Sequence, residues 1–143
     1  MFVDIAEKKW ENCVRGFMKK LLGILVLGLL WCNVGVAEWY KIGTADRVAF
    51  YLEVDRIRSD NNYVYYWDMA DLYERTDEGS LSVQRYIKGD CTIIRYKSLQ
   101  YIFYSESMGS GERQMQDSQV KDWKYYPPGG IGEDILKKAC ELR

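Results

Sequence analysis

A short apolar segment near the amino terminus decides which part of this chain can fold as a domain. Lys19 and Lys20 precede a nearly uninterrupted apolar run over residues 21–32, and the small residues Gly35 and Ala37 follow it. A charged start, an apolar run of this length and small residues before a cleavage point are typical of a signal peptide. We therefore expect export of the chain and cleavage after Ala37.

Residues 1–37 are thus expected to be an amino-terminal extension with a signal peptide, and residues 38–143 to form one domain of ordinary size. Three carboxylates precede the lysine pair, which is unusual for the positive start of a signal peptide. They are Asp4, Glu7 and Glu11. A start at Met18 would remove them, so we predict Met18 as the true start. Alternatively, residues 21–37 could remain as a tilted membrane anchor.

The four cysteines divide evenly between the two parts of the chain. Cys13 and Cys32 would be lost with the signal segment, and Cys91 and Cys140 would remain in the mature domain. A single pair in an exported chain favours one structural disulfide with only one possible connectivity. The alternative is two buried free thiols.

The mature part shows a series of strand-length patterns rich in aromatic and β-branched residues. The predicted strands cover residues 48–54, 63–72, 83–88, 92–104 and 120–126. The first two flank the turn-forming residues 60–62 and are expected to form a hairpin. Gly89 and Asp90 are expected to form the turn before the fourth strand. Within that strand, a shift in the alternating pattern near residues 97–98 predicts a bulge or a break.

The periodicity changes to that of a helix from Ile131 onward. Ile135, Leu136, Ala139 and Cys140 recur at helical spacing, with acidic residues in the first turn. This pattern predicts an amphipathic helix whose apolar stripe, including Cys140, faces the sheet. A disulfide to the other mature cysteine would clamp the helix onto the sheet. One helix on one face of an antiparallel sheet is an α+β fold.

The charge balance of residues 38–143 argues against polyanionic partners. Acidic residues outnumber basic ones by 18 to 15 in this part of the chain, and no basic run interrupts it. Nucleic acid and an anionic membrane surface are therefore not the expected partners.

The residues that usually carry catalysis or bind metals are scarce. The chain has no histidine, which removes the commonest general base and the commonest metal ligand, so neither a metal nor a cofactor is expected. Two carboxylate pairs occur, Asp68 with Asp71 and Glu133 with Asp134, but such pairs are usually solvated. Residues 108–112 resemble a phosphate-binding loop only faintly, because they lack its lysine. We therefore expect no enzyme.

Tyrosine is the residue type in excess, with 12 copies, all in the mature part. Tyrosine and tryptophan provide a large contact area and a polar tip, which suits protein-binding surfaces. Tyr63, Tyr65, Tyr66 and Trp67 are the candidate binding surface, because large rings on both faces of one strand leave one face for solvent, a partner or a second copy. The alternative is that these aromatics simply populate the sheet.

An ordered set of motifs spans the mature part. It comprises Trp39-Tyr40, residues 63–67, Asp90-Cys91 with Arg95-Tyr96, residues 104–112, and residues 123–133 before Cys140. This set resembles the surface-adhesin protein E family. The resemblance implies about six antiparallel strands with a carboxy-terminal helix tethered by the cysteine pair. It also implies an outer-membrane adhesin of a Gram-negative bacterium that binds host matrix and plasma proteins and can form a homodimer.

The sequence therefore predicts a non-enzymatic, exported envelope protein that binds a protein or another extracellular macromolecule and keeps no membrane span after processing. It would lie in the periplasm or on the outer surface of a Gram-negative cell. The alternative function is a soluble periplasmic domain with a structural or housekeeping role. The first function predicts an exposed aromatic cluster and the second a covered one, whereas an unrecognised enzyme would need a pocket with converging carboxylates.

Overall fold

A computed structural model describes residues 37–143, which form one antiparallel sheet followed by one helix. The elements are β1 (Trp39–Ala45), β2 (Val48–Glu53), β3 (Arg58–Asp60), β4 (Tyr63–Leu72), β5 (Ser82–Asp90), β6 (Arg95–Tyr104), β7 (Arg113–Asp117), β8 (Lys124–Tyr125) and α1 (Ile131–Glu141). The expected α+β single domain is confirmed. The signal segment up to residue 36, the Met18 start, Cys13 and Cys32 lie outside the described residues, and cleavage after Ala37 stays a prediction.

The sheet is six strands wide but contains eight strands, so the expectation of about six strands was too low. Its main path runs β1-β2-β4-β5-β6-β7. A 3-10 turn at Val54–Arg56 separates β2 from β3, and both pair with β4, one beyond the other. In the same way, β7 and β8 both pair with β6. Two positions in the sheet are therefore each filled by two short strands.

The strongest strand patterns are confirmed. The strand predicted over residues 63–72 coincides with β4, which pairs with β2 as expected of the first hairpin. The bulge predicted near residues 97–98 lies at Leu99, because Tyr86 is opposite Gln100 while Ile87 is opposite Ser98. The extra residue in β6 accounts for the shift in the alternating pattern.

Several other predictions of strands and turns were wrong. Gly89 and Asp90 do not form a turn but are the last residues of β5. The Asp90 carboxylate accepts a hydrogen bond from the backbone N–H of Thr92 at 2.9 Å, which places the turn after the strand. The strand predicted over residues 120–126 is reduced to Lys124–Tyr125. β1, β3 and β7 were not predicted.

α1 packs its apolar stripe against one side of the sheet, which we call the inner face. Ile135, Leu136 and Ala139 are buried there, as the helical spacing predicted. Residues on three strands complete the cluster: Leu52, Val64, Tyr66 and Ile87. Burying a side chain of this size contributes roughly 1.5–3 kcal/mol, so helix and sheet stabilise each other.

A disulfide joins Cys91, in the turn after β5, to Cys140, in the last turn of α1. The Cα atoms of the two cysteines are 5.8 Å apart, within the usual range for a disulfide. The predicted tether between helix and sheet is confirmed, and the alternative of two free thiols does not hold.

One ion pair lies on the inner face close to the core. The Arg85 guanidinium donates to both oxygens of Asp68, with 2.8 Å between Nε and Oδ1. Burial lowers the pKa of Arg85, but the charge of Asp68 and its hydrogen bond outweigh burial and raise it above the ordinary value. Burial, and then the neighbouring Tyr126, also raise the pKa of Tyr66 well above its ordinary value. Both groups keep their protons at physiological pH.

Gly89 provides a test of how tightly α1 packs on the sheet. A Cβ at this position would clash with Leu136 Cδ1 and would lie 3.1 Å from Val64 Cγ1. Gly89→Ala is expected to lower the free energy of unfolding by about 2 kcal/mol in urea titrations, because core overpacking costs about 1–3 kcal/mol. The exposed strand substitution Lys41→Ala serves as control and should change it by less than about 0.5 kcal/mol. Equal midpoints for the two variants would show that the helix can shift away freely.

Candidate binding face

The side of the sheet opposite α1, which we call the outer face, carries aromatic residues from β4. Successive side chains of a strand point to opposite sides, so Tyr63, Tyr65 and Trp67 share the outer face and are half-buried. Val64 and Tyr66 point into the core, and Tyr66 is 0% exposed. The assignment of Tyr66 to a binding surface was therefore wrong. The assignment of the other three rings stays a prediction.

The register between β4 and β5 places a further ring beside these residues. Tyr86 lies opposite Trp67, with 5.0 Å between the ring centroids, and 6.4 Å from the ring centroid of Tyr65. Aromatic pairs at such distances are worth about 0.5–1.5 kcal/mol beyond the area they bury. Tyr65, Tyr86 and Trp67 thus form one continuous strip across two strands, which we call the aromatic strip.

A second ring pair lies at the end of the face, where β4 begins. Trp123, from the segment between β7 and β8, stacks on Tyr63 with 5.8 Å between ring centroids. The Lys88 ammonium lies 4.2 Å from the Tyr63 centroid, and the Arg95 guanidinium carbon lies 4.3 Å from that of Trp123. Both distances are within the range of cation–π attraction. Rings and cations therefore alternate at this end of the sheet.

Two of the cations on this face are neutralised by carboxylates. Arg56 pairs with Glu53 at 3.3 Å, and Arg95 pairs with Asp90 at 3.1 Å. Burial opposes ionisation of Asp90, but hydrogen bonds from the Thr92 backbone N–H and the Arg95 guanidinium outweigh it and lower the pKa of this carboxyl. Asp90 is therefore charged throughout the physiological range.

Three cations beside the aromatic strip and the Tyr63–Trp123 pair are not neutralised. Within residues 37–143, no carboxylate lies at ion-pair distance from Arg58, Lys88 or Lys97. The register aligns these residues across the sheet, because Arg58 is opposite Tyr65, Tyr65 is opposite Lys88, and Lys88 is opposite Lys97. We call these three residues the cation row. The outer face is thus locally positive in a domain that is acidic as a whole.

Known proteins of similar sequence or structure support the fold of an antiparallel sheet with a carboxy-terminal helix. Residues 39–141 match the family model of surface-adhesin protein E. This chain belongs to that family. Among solved structures, crystal form II of Haemophilus influenzae protein E is 16% identical with a TM-score of 0.54, over 75% of this chain and 97% of that chain. A selenomethionine form of the same protein is 15% identical with a TM-score of 0.52, over 70% and 90%. No curated protein sequence matches this chain significantly.

In this family member, the structure separates one of the two carboxylate pairs noted in the sequence and gives the other a structural environment. Asp68 lies on the inner face with Arg85, whereas Asp71 lies on the outer face and accepts hydrogen bonds from the Ser107 hydroxyl and the Met108 backbone N–H. The loop at residues 107–111 is therefore fixed to the sheet. Glu133 accepts a hydrogen bond from the Gly129 backbone N–H and pairs with a lysine one turn on, which fits a structural role at the start of α1.

Two hollows in the described part of the chain, residues 37–143, each contain only one carboxylate among their lining residues. A hollow of about 240 Å³ next to Tyr63 is lined by Asn61, Asn62, Asp90, Thr92 and Ile93. Another, of about 430 Å³, lies between Glu78 and Met115 near the β7 edge. Over residues 37–143, no group of three or more potential ligands could hold a metal ion, and no helix is long and apolar enough to cross a membrane.

The sequence prediction of the site missed several of its members. Tyr86 and Lys88 lie two residues apart in the pattern that predicted the third strand, so their common face could have been inferred. Trp123 gave no such signal, because its contact with Tyr63 depends on a segment that is distant in sequence. The alignment of Lys97 with Lys88 depends on the register that the turn between β5 and β6 sets.

Proposed function

We propose that this chain is a non-enzymatic surface adhesin whose outer face binds a protein or another extracellular macromolecule. The observation that most supports this function is the aromatic strip formed by Tyr65, Tyr86 and Trp67. These rings are half-buried by one another and by nearby cations, and no α-helix or second sheet packs over them in residues 37–143. The strip therefore keeps apolar surface in contact with solvent, which is a usual property of interaction sites.

The composition of the face agrees with an interface. Tyrosine, tryptophan and arginine are the residues most often found at binding hot spots, and rings held by neighbours lose little conformational entropy on binding. Membership of the family supports a surface adhesin. The non-enzymatic character is supported by the separation of Asp68 from Asp71 to opposite faces. Homodimer formation and the exclusion of nucleic acid stay predictions.

Adhesion by cells that express the full chain tests this function. We expect Tyr65→Ala with Trp67→Ala to reduce binding to immobilised basement-membrane extract about tenfold or more, because the double variant removes two anchoring rings. The matched control is Tyr40→Ala with Tyr73→Ala, which removes two rings that are 54% and 56% exposed elsewhere. Equal loss in both variants, or no loss in either, would refute binding through the outer face.

The location of the protein is tested by protease treatment of intact cells. A surface adhesin is expected to be digested, and the mass of the intact protein is expected to show an amino terminus at Glu38. Full protection, with digestion only after the outer membrane is opened, would instead support the periplasmic domain with a structural role.

A further inference from the structure

The cation row crosses the outer face as a line of uncompensated charge. Arg58, Lys88 and Lys97 share one level of the sheet, on β3, β5 and β6, with Tyr65 of β4 between the first two. Neighbouring strands are about 4.8 Å apart, so the backbone positions of Arg58 and Lys97 are separated by three strand spacings, roughly 14 Å. The line is long enough to meet several anionic groups of one polymer.

The arrangement is unfavourable for the isolated domain. Lys88 and Lys97 are directly opposite each other, and like charges at such positions destabilise a sheet. On the same face, Glu53 and Asp90 are already paired with Arg56 and Arg95, and Asp60, two residues from Arg58, is beyond ion-pair distance of the cation row. A negatively charged ligand would relieve this repulsion, and such complementarity favours binding.

The rings of the site already have neighbours within the face. Each ring has at least two neighbours. Trp67 and Tyr65 both lie beside Tyr86, and each also has a cation nearby, Arg56 for Trp67 and Lys88 for Tyr65. Tyr63 and Trp123 contact each other, and cations lie over both rings: Lys88 over Tyr63, and Arg95 and Lys97 over Trp123. These neighbours compete with flat stacking of a base on a ring, as found in proteins that bind single-stranded nucleic acid. The ring edges, which carry the positive end of the quadrupole, and the phenol hydroxyls remain for contact.

We propose that the outer face binds linear polysaccharides that carry carboxylate or sulfate groups, which rests on the proposed function and names its ligand class. The cation row meets successive anionic groups, and the hydroxyls of Tyr63, Tyr65 and Tyr86 donate to sugar oxygens. Lysine is a point charge that accepts anions in many orientations, which suits a flexible polymer. An extended peptide is less well matched, because peptide recognition generally uses a sheet edge or a groove, and this site is a flat sheet face.

Polymer binding to the immobilised protein, expressed as the full chain and purified after export, tests the proposal. Heparin and alginate are the sulfated and carboxylated probes, and neutral dextran is the uncharged control. We expect heparin and alginate to bind, dextran not to bind, and the affinity to fall as salt is raised from 50 to 200 mM, because the charges are screened. Poly-glutamate and oligo-dT represent acidic peptides and nucleic acid, and both are expected to bind at least tenfold more weakly.

Variants locate the site. Lys88→Gln with Lys97→Gln is expected to weaken heparin binding about tenfold or more, and Arg58→Gln several-fold, without lowering the melting temperature. The matched control Lys137→Gln with Lys138→Gln removes the same charge from α1, on the other side of the sheet, and its affinity should stay within twofold of the original. Equal weakening by the control would show that only net charge matters and would overturn the proposal.

The remaining outcomes separate this proposal from the proposed function. Poly-glutamate or oligo-dT binding as tightly as heparin would overturn the choice of polysaccharide. If no polysaccharide binds but adhesion still depends on Tyr65 and Trp67, the ligand class is wrong and the proposed function stands. If polysaccharide binding and adhesion are both unaffected by the outer-face variants, both proposals fail.

Discussion

Replacing Cys91 and Cys140 with serine is expected to lower the free energy of unfolding by about 4 kcal/mol, the value of the chain-entropy model for a loop closed over a sequence separation of 49 residues. For a domain of this size, that corresponds to a fall in melting temperature of roughly 15 to 30 °C. The disulfide also holds the end of α1, whose residues Ile135 and Leu136 close the core. Loss of the tether therefore affects the packing of the helix as well as the entropy of the unfolded chain.

Thermal unfolding followed by circular dichroism, with and without reductant, measures this effect. The double variant avoids an unpaired thiol that could form wrong disulfides, and reductant should leave its melting temperature unchanged. Reductant should lower the melting temperature of the unmodified protein to that of the variant. A difference of less than about 3 °C between oxidised and reduced protein would mean that α1 docks without its tether, and the contribution assigned to the disulfide would be wrong.

The elements predicted correctly are those whose signal is local. The helix follows from the 3.6-residue period of Ile135, Leu136 and Ala139, and β4 follows from the aromatic and β-branched run that begins at Tyr63. Both signals arise because one side of each element is buried against the other. A local pattern is then sufficient to find the element and its core residues.

The strands that were missed lack such a pattern. β7 consists of polar or exposed residues at the edge of the sheet, and β3 is three exposed residues long. An edge strand is defined by its hydrogen bonds to a neighbour and not by burial of a face, so its sequence shows no alternation. The same reason explains why only Lys124–Tyr125 pairs where a longer strand was expected.

The candidate site was predicted in part for the same reason. The period of two already separates Tyr66 from Tyr65 and Trp67, so the sequence alone could have placed Tyr66 in the core. The cation row could not be predicted, because it depends on the register of four strands. The local composition predicted the rings of the outer face, whereas the row of cations beside them is known only from the tertiary structure.

Removing the carboxylate of Asp68 is expected to be the second most damaging change. The Asp68 side chain is 1% exposed and its partner Arg85 is 19% exposed, so Asp68→Ala leaves a nearly buried guanidinium without a counter-charge. Such a change costs about 3–5 kcal/mol, and we expect about 3 because Arg85 keeps some contact with water. Urea unfolding measures the loss, with the exposed substitution Asp122→Ala as control, which should stay within about 0.5 kcal/mol.

The double substitution Asp68→Leu with Arg85→Met shows why the single change is damaging. A buried ion pair contributes little net stability, because desolvation of both charges offsets their attraction, whereas a single unpaired charge carries the full penalty. The double variant is therefore expected to recover most of the stability lost in Asp68→Ala. If it is no more stable than the single variant, the loss comes from the packing around Tyr66 and Tyr126 and not from the unpaired charge. Because Asp68 and Arg85 lie on the inner face, neither variant should change binding at the outer face.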